Sequence, residues 1–469
     1  MSLAESDCPA PRSRWIWVYW AVIALGFAGV LAINLPGQAS FDTVMELYQG
    51  RNSHQITFDP WIVSWLLGLA DAVIPGTGLF MLLDVAMFFA CLAALPLLRA
   101  KTSRWSILAL ALVLLTPQIV NYQGIVWKDV LFANLTIAGF IALGLGLTWV
   151  DRPRLRRLAL AKALLLLAVA GLVRQNGLID GALAAMAFGL AEGHRLGWKR
   201  GASSGVAALA GVLALAFVLG AIIHPKTSDL KANAVGLRIV RHYDIVGVVA
   251  RDPKVDLGAV PPERAAVIRA EAPRLYTPER IDTLDDSPSI TRALWQTPKA
   301  ALASAWWGIV LHRPGLYLSH RLAVYRQLLL TPKLDHCVPV VVGVDGPAKF
   351  REALGLKEGV KRRDVFLSNY AAAFYPTPVF NHLLYVIVAL ALLAVLATRR
   401  QAADMAIMGL LLAGLGFAAS FFLIGIACDY RYLYMLDLAT LVGLVYWALD
   451  PPPLPFKASP PAPVSARLR

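Results

Sequence analysis

The sequence predicts an all-α polytopic membrane protein of about ten transmembrane helices with a large mixed extracytoplasmic loop domain. Three observations lead there. Of the 469 residues, 58% are hydrophobic and 16% charged, with a mean hydropathy of +0.60, whereas soluble domains average about 25% charged. The apolar residues fall in blocks of about 20, the length that crosses roughly 30 Å of hydrocarbon. The net charge of +14 gathers in alternate loops, as it does where cytoplasmic loops fix orientation; it gives no reason to expect nucleic acid as a partner.

Placing Lys and Arg inside threads the chain. The N-terminal tail, residues 1–14, is cytoplasmic, and it lacks a small-residue cleavage site, so span one (15–35, after Arg12 and Arg14) is expected to stay uncleaved. Residues 36–78 form the first outer loop. Within it DPWIVSWLLGLADAVI is too short to cross and suits a helix lying in the interface, with Trp61 and Trp65 at headgroup depth. Spans two to seven follow at 79–98, 105–120, 130–150, 158–173, 177–193 and 203–223, completing a catalytic module over 15–223. Its inner turns carry Arg99, Lys101 and Arg104, then Arg152, Arg154, Arg156 and Arg157, then Arg195, Lys199 and Arg200. Residues 224–375 stand outside as a Pro-rich, charged domain with short helical patterns such as PPERAAVIRAEAPRL. Three last spans, 379–397, 404–427 and 433–449, lie within 376–449, and a Pro-rich tail, 450–469, is cytoplasmic. This is the topology of a multi-pass protein of a bacterial inner membrane.

Four cysteines are too few for a disulfide scaffold and lack metal-site spacing. Cys8 is in the tail and Cys91 in a span. Cys337 and Cys428 both fall outside, where a disulfide can persist, so their pairing is open. The eight histidines are scattered without ligand spacing, which argues against zinc. No GxGxxG or Walker signature announces a soluble nucleotide-sugar domain.

The outer turns share a pattern: FDTVMELYQGR, WKDV, VRQNG and CDYRY each hold a cation beside amides or a carboxylate. If they converge, Asp42, Asp59, Asp129 and Asp429 meet Lys128, Arg174 and Arg431 in one polar pocket at the outer membrane face, with Glu46, His54, Gln175 and Asn176 as further lining. Snorkelling cations explain any single one of these, but ionisable groups at such depth mark sites facing a cavity. The chemistry that fits is sugar transfer from a polyprenyl-phosphate carrier. An Asp takes the acceptor's proton, and Lys or Arg stabilises the departing lipid phosphate.

Each residue also has a plainer role. Asp42 could cap the helix TVMELYQG, Asp59-Pro60-Trp61 is a helix-start signal, and Lys128-Asp129 could be a local pair. Asp84 and Asp180 line the same cavity or are satisfied by backbone and Ser/Thr neighbours. DTLDD at 282–286 resembles a metal-binding run but reads more simply as solvated surface. The amphipathic stretch 306–330, with Trp306, Trp307, Tyr317 and Tyr325 among Arg313, Arg321 and Arg326, is expected to pack on the membrane.

The layout resembles the GT-C fold of integral-membrane glycosyltransferases: a first span, an outer loop opening on an acidic residue, interfacial helices, a seven-span module, then a large outer loop and further spans. WKDVLFANL, LVRQNGLI and DYRYLYML are similar to segments of its bacterial members. The resemblance implies that Asp42 is the catalytic base or acceptor-binding group. It implies that Lys128, Arg174 and Arg431 bind the donor phosphate, and that transfer inverts the anomeric centre. Many relatives carry Pro-Pro or His-Pro where this chain has Asp59-Pro60, which leaves open whether Asp42, Asp59 or Asp129 is the base. The first outer loop lacks the Asp-x-Asp of metal-dependent relatives, so a divalent metal is compatible with the sequence but not required by it. The partners expected are a polyprenyl-phosphate sugar, a glycan, lipid or protein acceptor, and membrane lipids. The competing classes are a glycan polymerase or ligase, which works through arginines, and a flippase for lipid-linked sugar, which predicts midplane charges and paired broken helices.

Overall fold

The computed structural model describes residues 14–229, 235–399 and 401–451; Cys8, Arg12, Arg400 and nearly all of the two expected tails lie outside these. The first apolar block forms α1 (Trp15–Asn34). The first outer loop folds into α2 (Phe41–Asn52), a two-residue strand β1 (His54–Gln55) and α3 (Trp61–Val73). α4 (Gly78–Ala94) continues through a 3-10 turn to Leu98. The third block is bent by 63° between α5 (Arg104–Leu114) and α6 (Pro117–Val120), because a proline ring cannot extend the helical ladder behind it. Then come α7 (Lys128–Thr148), α8 (Pro153–Val173), α9 (Leu178–Leu196) and α10 (Trp198–Ile222).

Residues 227–372 form the insert, in which helices alternate with irregular segments and, among the described residues, a single short strand. A short strand β2 (Thr227–Ser228) pairs in parallel with β1. Eight helices follow: α11 (Val235–Val249), α12 (Pro262–Leu275), α13 (Pro288–Gln296), α14 (Lys299–His312), α15 (Pro314–Leu330), α16 (Leu334–Cys337), α17 (Ala348–Leu354) and α18 (Arg362–Ala372). α11 to α15 enclose a core of their own around Ile245, Ile268, Ile290 and Leu302. The chain then re-enters the bundle as α19 (His382–Arg399), α20 (Ala402–Ile424) and α21 (Tyr434–Leu449).

All ten expected blocks are helical, but among the described residues seven helices are long and apolar enough to cross a membrane, or eight with the bent pair. The two that fall short, α8 and α9, are long enough at 21 and 19 residues but too charged. α8 keeps Arg154, Arg156, Arg157 and Lys162; α9 keeps Asp180, Glu192 and Arg195. Three of these charges are matched, Glu192 accepting from Arg156 at 2.9 Å and Arg195 at 2.5 Å, and Asp180 accepts from the Thr136 hydroxyl at 3.0 Å.

Two further expectations are corrected. The stretch 306–330, expected to pack on the membrane, forms two helices, α14 and α15, that meet at Arg313-Pro314, and Tyr317 is buried. Arg321 does not face the interface either. It is fully buried, on Asp244 at 2.7 Å and the Gly425 carbonyl at 2.8 Å.

Lipid offers no hydrophobic force between helices, so the bundle is assembled by close packing and polar contact. α7 and the last span are its axis, with 94% and 83% of their apolar windows buried, against 22% for α1 and 11% for α10. α2 and α3 approach each other backbone to backbone. A Cβ on Gly50 would stand 2.0 Å from the Ser64 carbonyl oxygen, and one on Gly68 would stand 2.6 Å from that of Gly50. Arg51 clamps the same pair from the end by a bidentate bridge to Asp71 at 2.7 and 2.6 Å.

Cys337 and Cys428 are bonded, with Cα atoms 4.9 Å apart. The bond ties α16 to the loop between α20 and α21.

Gly68→Val should overpack the α2–α3 contact and cost about 1–3 kcal/mol, lowering the melting midpoint in detergent; an unchanged midpoint would refute the contact. Reduction, or Cys337→Ser with Cys428→Ser, opens a loop spanning 91 positions. The expected loss is about 4–5 kcal/mol, with a slower band on non-reducing gels. Wild-type thiols at both positions that alkylate without reductant would contradict the bond.

Candidate active site at the span ends

The site begins with the cap of α2. Ser40 holds the N-cap position and exchanges hydrogen bonds with Thr43. Asp42 is therefore not the cap, and its carboxylate is available to groups outside α2. Glu46 lies one turn on, fully buried. Asp59 is placed by its loop: Gln49 accepts from the Ile56 and Thr57 amides at 2.7 and 2.9 Å, and Thr57 Oγ1 donates to Asp59 Oδ2 at 2.9 Å.

Lys128, the first residue of α7, enters this group. Its Nζ is 2.5 Å from Asp59, 3.6 Å from Glu46 and 3.7 Å from Asp42. Three carboxyls thus surround one ammonium. Arg431, just before α21, completes the pairing with Asp42 at 2.5 Å and reaches Asp429 at 3.4 Å. Its guanidinium lies 4.9 Å over Trp127, whose indole donates to Ser40 at 2.7 Å. Asp129 pairs directly with Arg174, which faces the rings of Tyr432 at 5.4 Å and Phe421 at 5.9 Å.

The expected convergence is therefore present for Asp42, Glu46, Asp59, Lys128, Asp129, Arg174, Asp429 and Arg431. The other predicted members are elsewhere. His54 bonds Thr227 at 2.6 Å and Asp229 at 3.0 Å; Asn176 donates to Ser420 at 2.8 Å; Gln175 is exposed. Asp84 and Asp180 take the plainer of their two readings, held by Asn134 at 2.9 Å and Thr136 at 3.0 Å. Asp282 of the DTLDD run pairs with Arg280 at 3.2 Å, and no three His, Cys, Asp or Glu converge on a metal position among the described residues.

One member was missed. Arg280, from the insert, bridges Asp429 at 3.0 Å. Nothing in its spacing distinguishes it from the other charges of that domain. Beneath it, Tyr430 is anchored by donating to Asp437 at 2.5 Å, and Asp437 also meets His382 at 2.8 Å.

The electrostatics separate the carboxyls. Burial alone would raise Asp42, but Lys128 and Arg431 outweigh it and hold the group at about 2. Burial dominates at Glu46, with Asp59 and Asp42 adding to it against Lys128, and pushes the carboxyl up to about 8. Neither Glu46 oxygen has a hydrogen-bond donor among the described residues. Burial also raises Asp429, against Arg431 and Arg280. Asp42 is the most exposed carboxylate of the group, at 24% of its side chain, against 14% for Asp429, 13% for Asp59, 3% for Asp129 and none for Glu46. Both its cations sit on Oδ2, which leaves Oδ1 without a partner among the described residues.

No protein-family description matches the chain, and no curated protein matches it. Among solved structures it is similar to the archaeal oligosaccharyltransferase AglB from Archaeoglobus fulgidus, determined in complex with an inhibitory peptide and a dolichol-phosphate. That similarity has a TM-score of 0.41 and 13% identity over 92% of this chain and 50% of that one. The chain spans about half the length of the AglB structure.

Lys128→Met strands buried carboxylates and should cost about 3–5 kcal/mol; adding Asp59→Asn should restore part of it. Two additive losses would refute the pairing. Glu46 binds its proton more tightly folded than unfolded, so its contribution is full below about 4.5 and is lost as pH rises through about 8. Wild-type melting should therefore fall between pH 6 and 9 more than that of Glu46→Gln; parallel curves would contradict the raised carboxyl.

Proposed function

We propose that the chain is a membrane glycosyltransferase of the GT-C type that moves a sugar from a polyprenyl-phosphate donor to an acceptor hydroxyl at the extracytoplasmic face. The observation that carries this reading is Asp42: an ionised carboxylate, 24% exposed and the most open of the group, fixed between two cations at the start of α2, with no hydrogen bond to Oδ1 among the described residues. The orientation follows from Arg99, Arg104, Arg152, Arg195 and Arg399, which end the helices opposite the insert. With α1 starting and α21 ending on that basic side, the insert faces the extracytoplasmic side of a bacterial inner membrane.

In this reading the donor phosphate approaches Lys128, Arg174 and Arg431. It shares two of the cations that now neutralise Asp42, so the carboxylate regains basicity as the donor binds. Oδ1 takes the acceptor's proton. The acceptor oxygen bonds to the anomeric carbon from the face opposite the phosphate. The anomeric C–O bond breaks with its electron pair going to the lipid phosphate, whose charge the three cations stabilise. One displacement inverts the centre. Asp59 and Asp129 orient Lys128 and Arg174, and no metal is needed where ammonium and guanidinium supply the positive charge.

Purified protein, given a radiolabelled panel of polyprenyl-phosphate sugars and a membrane glycolipid extract, should transfer label. Asp42→Asn should lower the rate a hundredfold or more, in the range of a lost general base, with an unchanged size-exclusion profile. Arg174→Ala should raise the donor concentration required. Full activity in Asp42→Asn would move the base to Asp59; movement of the lipid-linked sugar across liposomes without transfer would replace the enzyme by a flippase.

A further inference from the structure

The last helix of the insert, α18, is joined to the ends of two helices of the bundle. Carbonyls at the C-terminal end of a helix have no partner within it, and at membrane depth the protein itself must supply one. Arg363 donates to the Leu35 carbonyl that follows α1, and the Tyr370 hydroxyl donates to the Leu115 carbonyl that follows α5. The Asn121 side chain donates in turn to the Leu367 carbonyl at 2.9 Å. α18 is thereby held at the level where α1 and α5 end, with its first turn at Leu35 and its last at Leu115.

Its faces are unequal. Asp364, Leu367 and Ala371 are buried, and Asp364 is engaged by the Lys361 amide at 2.7 Å and by Arg363 at 3.4 Å. Beside them runs a ladder of rings, Phe366, Tyr370 and Phe374, spaced at i, i+4 and i+8 on one side of a helix. Successive ring centroids are 6.2 and 5.3 Å apart, and Phe366 is 55% exposed. Through Tyr370 the ladder meets the outward strip of α5, where Leu108, Leu112 and Leu115 are each more than half exposed. That strip faces hydrocarbon wherever α5 lies in the bilayer, so the ladder continues an apolar surface that lipid already covers.

The head of the helix is basic. Residues 357–363, KEGVKRR, hold four cations and one carboxylate, and that carboxylate, Glu358, is taken by Arg351 at 2.5 Å. Lys357, Lys361 and Arg362 are exposed and make no ion pair among the described residues. Rings on one flank with cations at the head are what helices seated at a membrane surface carry, and each such cation strengthens attachment where the lipid is anionic.

We propose that α18 is a docking site for anionic glycerophospholipid of the outer leaflet: the ring ladder lies against the upper acyl chains, and Lys361 and Arg362 take the phosphodiester. Nothing in this docking depends on sugar transfer. To test it, the protein is embedded in nanodiscs of phosphatidylcholine alone or with phosphatidylglycerol added, and deuterium exchange is followed over residues 357–374. Exchange should be about tenfold slower in the anionic discs, as two cations near an anionic surface imply. Lys361→Gln with Arg362→Gln, which removes two exposed side chains without ion-pair partners among the described residues, should abolish the difference with an unchanged size-exclusion profile. Lys199→Gln with Arg200→Gln, exposed at the opposite end of the bundle, should preserve it. Equal exchange of the wild type in both discs overturns the proposal, as does a difference that survives in the α18 variant. Slowing in phosphatidylcholine discs by soluble glycerol phosphate, or by undecaprenyl phosphate where phosphatidylglycerol gives none, overturns it too, because the ligand is then a free phosphate or the donor lipid.

Discussion

The ion pair between Asp42 and Arg431 joins residues 389 positions apart, at a depth where neither charge could stand alone. Burying an unpaired ion costs several kcal/mol, and the membrane boundary offers limited water to relieve it. Asp42, Lys128 and Arg431 are therefore stable only together. That requirement draws the start of α2, the start of α7 and the approach to α21 to one point, and the Gly50–Gly68 contact sets how α3 and its preceding loop deliver Asp59. The polar cluster is as much a cause of the fold as a product of it.

The insert extends the same logic outward. The loop between α20 and α21 carries Asp429 and Arg431, and it is held by the insert through Arg280, Arg321 and the disulfide to Cys337. Arg321 is itself buried against Asp244, to which Trp306 donates at 2.6 Å. The core of the insert thus supports the cations of the site. This is a positioning role, distinct from covering a cavity, and it gives the large outer region a function in the chemistry without a separate catalytic group.

Much of this was legible from the sequence, because the bilayer constrains it. Twenty-residue apolar blocks and basic turns located the helices, and mixed charges at the opposite ends marked the residues that meet. Where the reading failed, the deciding contact was nonlocal. Arg280 is one of many arginines in the insert until Asp429 is placed beside it. His54 shares a loop with Asp59, yet the β1–β2 pairing takes it to Thr227 and Asp229. The cap, offered as the plainer role for Asp42, falls to Ser40, because one residue of register decides which side chain meets the helix amides. Seven or eight of the roughly ten expected spans meet the length and composition of a crossing helix; α8 and α9 form as helices of sufficient length but carry more charge than such a helix usually holds.

The central claim is that these converged cations receive a lipid phosphate. Equilibrium binding of radiolabelled undecaprenyl phosphate to the nanodisc-embedded protein tests it most directly, with Arg431→Gln and Arg174→Gln beside Lys101→Gln at the opposite helix ends. The account predicts saturable binding that weakens about tenfold or more in the first two, as loss of one charged hydrogen bond implies, and is unaffected in the third. Equal affinity in all four proteins, or no saturable binding by the wild type, would contradict it.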